Sequence, residues 1–425
     1  MIFESQLPVT FPEYIQSIHL QSRLISLMGL RRTGKTTLLD LSLQRLQEST
    51  ENIFLVVKVD LLEWLLRLQR EKGYTTLEKE LDFYFWFHLN KEFERAIHQQ
   101  IGEIFPKQQT EKVYEKLDWL IEAAREKEPS IRFVLAFDEA DYFGHAVFRK
   151  YFQRDESFDV IPGRLLNLVT RYEMVMILVH DNIRVVWQQE LVNAYYDMTS
   201  SHMLSEYRYF RTHLLDRSDT DGLLKNGPLS FTKLAEETVW AFTGGYASLI
   251  QLLYRRLIEY KNQQWSNDDT QKLSAVTVEA VKEVVRQEVY DRENEIENMT
   301  SYLLHSFDGS ELRLMLLLAQ EGFIDPNTAI LTIPYDASWQ QLTQLNQKAT
   351  QLFPDELDMQ KLQHALASLI DKQLLTRVQI NQTVTTHLRW RVGWLYIYLK
   401  SASFDIMLGK LQPVLARFSS SDFAA

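Results

Sequence analysis

The chain has 425 residues, of which 45% are hydrophobic and 24% charged, with no cysteine and a net charge of −11. Those values describe a globular polypeptide with more than one core, and they exclude disulfides, thiolate catalysis and cysteine-ligated zinc or iron–sulfur centres. They also argue against a general nucleic-acid coat while leaving room for a local basic patch. No apolar run approaches bilayer-spanning length, and Met1–Ser5 does not open a secretory signal, so a cytoplasmic protein with no membrane contact is expected.

In chain order, Leu24–Met28 reads as an apolar strand. Gly29-Leu30-Arg31-Arg32-Thr33-Gly34-Lys35-Thr36 then fills every position of the phosphate-loop pattern G-x-x-x-x-G-K-[ST], and Thr37–Leu41 opens a helix. Glycines at both ends let successive amide N–H groups turn inward around a phosphate chain at the helix start. Lys35 is placed to reach the β- and γ-phosphates and the Thr36 hydroxyl to hold Mg²⁺. Gly29, Arg32, Thr33, Gly34, Lys35, Thr36 and Thr37 form the expected nucleotide-binding set of the loop, with Arg31 and Arg32 facing either phosphate or solvent.

Ile53–Asp60 reads as a second buried strand, followed by helical material to about Ile121. Within it Phe83-Tyr84-Phe85-Trp86-Phe87-His88 is a dense aromatic run, expected to give a helix one buried and one half-exposed face, with contact to a partner protein as the alternative. Ile131–Glu139 is an apolar strand ending in two carboxylates. Asp138 suits the Mg²⁺ shell together with Thr36, and Glu139 suits a general base that polarises the attacking water. A further strand, Met174–Val179, ends at His180-Asp181-Asn182. One of these polar groups is expected to reach the γ-phosphate or the water, and His180 joins the nucleotide-binding set; a surface turn with a helix cap is the alternative. Arg184, Arg208 and Arg211 are candidates to bring charge to a phosphate, in cis or as an arginine finger to a neighbouring subunit. A weaker strand covers Tyr209–Leu215. Strands separated by helices predict an α/β fold, a parallel sheet with helices on both faces and ligands beyond the carboxyl ends of the strands.

Asp216–Pro228 reads as a polar link, and residues 231–304 as helices interrupted at Gly244-Gly245 and at Asn262–Asp269. A helix over Glu311–Gln320 precedes a polar connection through Asp325, Pro326 and Pro334. Leu362, Ala365, Leu366, Leu369 and Ile370 then mark one face of a helix, and Leu374–Ile380 with Thr385–Val392 alternate as two strands. Helix, helix, hairpin is the order of a winged helix-turn-helix. Its helical part offers only Lys361, His364 and Lys372, whereas the hairpin region carries Arg377, His387, Arg389, Arg391 and Lys400. Docking to protein is therefore favoured over nucleic acid, with DNA contact through Arg377, Arg389 and Arg391 as the alternative. The expected domains are a P-loop core over 1–225, a helical lid over 226–305 and a winged helix over 306–425.

The run from Gly29 to Leu39 resembles the phosphate loop of archaeal-type ATPases of the STAND/AAA+ superfamily, with an origin-recognition-like core. Phe137-Asp138-Glu139-Ala140-Asp141 is similar to its Walker B, Phe242–Leu253 to its lid signature and Leu366–Arg391 to its winged helix. The chain departs from the pattern at Ala247, where proline is usual, and in Phe11–Leu20, where the family's segment before the first strand is not recognisable. The resemblance implies an ATP- and Mg²⁺-dependent switch that oligomerises and acts on DNA or a protein. The expected function is thus an ATP-hydrolysing switch coupled to a partner protein, a second copy or DNA. The alternative is a non-catalytic nucleotide sensor or winged-helix regulator with little turnover, while a small-molecule kinase is disfavoured by the Asp138-Glu139 strand end.

Overall fold

The computed structural model describes residues 15, 24–30, 32–49, 53–103, 113–144, 161–181, 207–265, 275–290, 300, 303–304, 307–320, 336–338, 347, 349, 351–353, 357–379, 386–401 and 403–419. The chain divides into two compact units, one of residues 1–29 with 34–212 and one of residues 30–33 with 213–425.

The first unit is built on five strands: β1 (Leu24–Met28), β2 (Phe54–Asp60), β3 (Arg132–Asp138), β4 (Val175–His180) and β5 (Tyr207–Arg211). They hydrogen-bond in the order β2-β3-β4-β1-β5, and every pairing is parallel. Side chains alternate across the sheet, so each strand feeds two cores. Phe133, Leu135 and Phe137 of β3 join one cluster with Leu24, Met176 and Leu178, whereas Val134 and Ala136 join another with Ile25, Leu27 and Ile177. Helix α1 (Lys35–Gln47) covers the second face through Leu39, Leu43 and Leu46. Helices α2 (Leu61–Lys72), α3 (Tyr74–Ile101), α4 (Val113–Lys127) and α5 (Ile161–Arg171) contribute to the first cluster. Burial on both faces is why these strands are near-continuous apolar runs in the sequence.

The aromatic run lies on α3. Phe85 and Trp86 are buried, while Phe83 and Phe87 are 48% and 43% exposed and stack on each other at 5.9 Å between ring centroids. The expected buried and half-exposed faces are both present. His88 stacks on Trp64, and burial together with the charges of Arg67, Arg95 and Lys91 lowers its pKa to about 4.

The second unit begins with α6 (Arg217–Lys225), whose first turn is capped by the Asp216 carboxylate accepting from Asp219 N–H. Helices α7 (Lys233–Thr243), α8 (Ala247–Trp265) and α9 (Val278–Tyr290) pack around Val239, Phe242, Leu249, Leu253, Val281 and Val285. Helix α10 (Gly309–Gln320) starts on a reciprocal cap: Asp308 accepts from Glu311 N–H, and Glu311 accepts from Asp308 N–H. Strand β6 (Asp336–Ser338), helix α11 (Met359–Asp371), strands β7 (Leu375–Gln379) and β8 (Thr386–Trp390), and helices α12 (Gly393–Lys400) and α13 (Phe404–Ser419) follow. The second sheet has the order β6-β8-β7 and is antiparallel. Strand β6 arises inside the stretch that reads as a polar connection, because three residues paired along one edge leave no periodic signal.

Two cations expected to face outward are turned inward. The Arg391 guanidinium donates to the carbonyls of Gly244 (3.0 Å), Leu214 (3.3 Å) and Leu215 (2.9 Å) and to Gln373 Oε1 (2.8 Å), with its charge over the Trp240 ring. Lys372 Nζ donates to both oxygens of the buried Glu311 at 2.8 Å. Arg391 is therefore corrected from a DNA-contact candidate to an internal tie. The side chains of Arg377, His387 and Arg389 lie outside the described residues, as do Arg184 and Asn182.

Candidate functional site

The site is assembled at the carboxyl ends of three adjacent strands of the first unit. Because β4 lies between β1 and β3, its end separates the phosphate loop from the Asp138-Glu139 pair. Gly29 leaves β1 so close to Thr212 that an added Cβ would stand 1.9 Å from the Thr212 hydroxyl, so no side chain fits there. Gly34 is the N-cap of α1 in a left-handed conformation at φ 90°, with nothing within 4 Å of a would-be Cβ. Its requirement is backbone geometry alone, which aims the first amides of α1 out of the helix. The tip of the loop closes on itself through Thr33, whose amide and hydroxyl both donate to the Leu30 carbonyl, and Arg32 is exposed with a positive φ of 60°. Arg31 is outside the described residues.

Lys35, buried at the first position of α1, donates to the Gly29 carbonyl at 2.9 Å and to Asp181 Oδ1 at 2.7 Å. Thr36 and Thr37 follow it and are exposed. His180 is the last residue of β4 and faces the neighbouring strand, where its Nε2 lies 2.5 Å from the hydroxyl of Ser26, both side chains being buried. The group that meets Lys35 is Asp181, the next residue, whose backbone N–H donates to Asp141 Oδ2 at 2.6 Å. Of the two described polar residues at this strand end, Asp181 rather than His180 is placed against the loop lysine. Successive residues face opposite sides, so His180 turns toward Ser26 and Asp181 toward Lys35.

Asp138 ends β3 and is 2% exposed. Its Oδ1 accepts from Glu139 N–H at 3.0 Å, and its Oδ2 lies 3.3 Å from Lys58 Nζ. Glu139 turns off the strand with a left-handed φ of 53°. Carboxylate oxygens of Glu139, Asp141 and Asp181 lie within 4.8 Å of one another, which links the candidate base through Asp181 to Lys35. Asp60 stands opposite Asp138 in the β2–β3 register and caps α2 by accepting from Glu63 N–H. Burial raises the Asp60 pKa, the charges of Asp138 and Glu63 add to the rise, and the Glu63 bond opposes it. Lys58, to which the sequence pattern assigns no role at the site, pairs with Asp40 at 2.6 Å as well as with Asp138. Burial disfavours its ammonium, but the bond to Asp40 and the charges of Asp138 and Asp40 outweigh burial and raise its pKa.

The donors suit a hard divalent cation: a buried strand-end carboxylate, Asp138, and an exposed hydroxyl, Thr36, at the helix start. A bound Mg²⁺ would supply a Lewis acid to phosphate oxygens. Of the arginines, Arg211 stands opposite Met28 at the site end of the sheet, and Arg208 lies mid-strand opposite Ile25.

No family model matches the sequence, and no curated protein matches it. Solved structures are similar to it, among them two that cover most of the chain. One is Cdc6p from Pyrobaculum aerophilum, 12% identical, with 93% of this chain and 87% of that chain covered at a TM-score of 0.36. The other is a Drosophila ORC bound to DNA, 12% identical, with 90% and 82% covered at a TM-score of 0.36. No helix among the described residues is long and apolar enough to cross a membrane.

Proposed function

We propose that the protein is an ATP-binding and ATP-hydrolysing switch of STAND/AAA+ type that couples nucleotide state to a partner protein or a second copy of itself. The observation that carries this reading is the position of Lys35. It sits at the helix start behind a left-handed Gly34 and beside the Asp181 carboxylate, with Asp138-Glu139 on the next strand but one. An ammonium held by a carboxylate and a carbonyl exchanges readily for a polyphosphate, which offers it more negative oxygens.

In this reading the loop amides and Lys35 bind the β- and γ-phosphates, and Thr36 and Asp138 hold Mg²⁺. Glu139 takes the proton of the attacking water, and Asp181 senses the phosphate through the lysine they share. Residues 1–225 serve as the core, 226–305 as a lid and 306–425 as a winged helix; α10, β6, α11 and the β7–β8 hairpin support the last assignment. Docking to protein is favoured over DNA because Arg391 and Lys372 are committed to internal acceptors.

The test is steady-state ATPase activity and ATP binding of the parent, Lys35→Ala and Glu139→Gln. Binding lost in the first and retained with stalled turnover in the second supports the proposal. Parent-rate turnover by Glu139→Gln sinks the role of Glu139, and ATP binding without turnover by the parent points to a nucleotide sensor.

A further inference from the structure

We propose that Lys58 is a positioning residue that guards the metal position, making capture of a divalent cation conditional on the nucleotide; this rests on the ATP–Mg²⁺ reading above. Lys58 lies in the middle of β2, two residues before the strand ends at Asp60. Its ammonium stands between two carboxylates from different elements, 2.6 Å from Asp40 on α1 and 3.3 Å from Asp138 on β3. Asp40 is four residues beyond Thr36, so the two share one face of α1, and the contact fixes that face toward the end of β3. The cation therefore touches Asp138 directly and the helix face that carries Thr36 through Asp40.

The site gathers negative charge: Asp40, Asp60 and Asp138 surround Lys58, and Glu139 follows Asp138 in the chain. Without an internal cation, such a pocket attracts divalent ions on its own. Lys58 pairs with Asp138 and holds it in place, so that free Mg²⁺ gains little by displacing the ammonium. A metal arriving on a polyphosphate brings its own anionic ligands, and Lys58 then withdraws onto Asp40, which keeps it on the site without blocking it. Arginine at 58 preserves the charge and the reach. A neutral side chain removes the guard.

Binding of Mn²⁺ to the full-length, nucleotide-free protein, measured by electron paramagnetic resonance, tests this directly, with ATP binding measured in parallel. Lys58→Met and Lys58→Gln should each bind Mn²⁺ at least about tenfold more tightly than the parent, the scale expected when a cation a few ångströms from a bound ion is removed. Lys58→Arg should match the parent. So should Arg45→Met, which removes an exposed positive charge from the same helix. Unchanged or weaker Mn²⁺ binding by both neutral variants overturns the proposal, and so does an equal gain in Arg45→Met. If the parent binds no ATP, it is the nucleotide reading that fails.

Discussion

The two units use internally paired cations in opposite ways. In the first, Lys35 and Lys58 are held by carboxylates, Asp181 for one and Asp40 with Asp138 for the other. In the second, Arg391 is spread over three backbone carbonyls and one side-chain amide, and Lys372 is locked to a glutamate that is 1% exposed. A carboxylate at the rim of a site can trade its cation for a ligand. Arg391 and Lys372 have no proposed ligand to take the place of their partners. Charge of the same sign thus lines the proposed site in one unit and ties the fold together in the other.

Substitutions can break that contrast. The largest effect is expected from Lys35→Ala, which should weaken ATP binding more than about 10³-fold, as isothermal titration would show. Glu139→Gln should slow turnover about 10²- to 10³-fold at unchanged ATP affinity, read by single-turnover hydrolysis. In the second unit the outcome should invert. Lys372→Met leaves Glu311 buried without its cation and should cost about 3 kcal/mol in denaturant unfolding, with ATP binding intact. Arg391→Met strips donors from the Gly244, Leu214 and Leu215 carbonyls and should cost about 2 kcal/mol. A loss of ATP binding in either variant would blur the division.

The smallest effect concerns pH. Because the folded-state pKa of His88 is lowered to about 4, its contribution is complete above its unfolded value near 6.5 and is lost as pH falls from there toward 4. His88→Gln should flatten this part of the stability–pH curve, measured by urea unfolding at stepped pH.

Much of the first unit was readable because its chemistry is local. The phosphate loop is a contiguous pattern, and strands buried on both faces announce themselves as apolar runs, so β1 to β4 fall within a residue or two of expectation. What a run of letters does not contain is which strand lies beside which. The choice of Asp181 over His180 depends on β4 standing between β1 and β3, and the bridge from Lys58 to Asp40 and Asp138 joins two neighbouring elements to a third far along the chain. In β5 the expected Tyr209–Leu215 shifts to Tyr207–Arg211, since pairing with β1 sets the register and the apolar pattern there is weak. Arg391 was misread for a related reason. An arginine closing a basic hairpin looks like surface until the carbonyls of Leu214 and Leu215, some 176 residues earlier, are brought against it.

The left-handed backbone at Glu139 sets a contest between durability and work. Any residue with a Cβ is uncomfortable there, and glycine is not. Glu139→Gly should therefore fold at least as robustly as Glu139→Ala, although both lose the carboxylate. A search for sturdier variants of this protein would be drawn toward glycine at 139 and, on the way, would discard the carboxylate proposed to activate water.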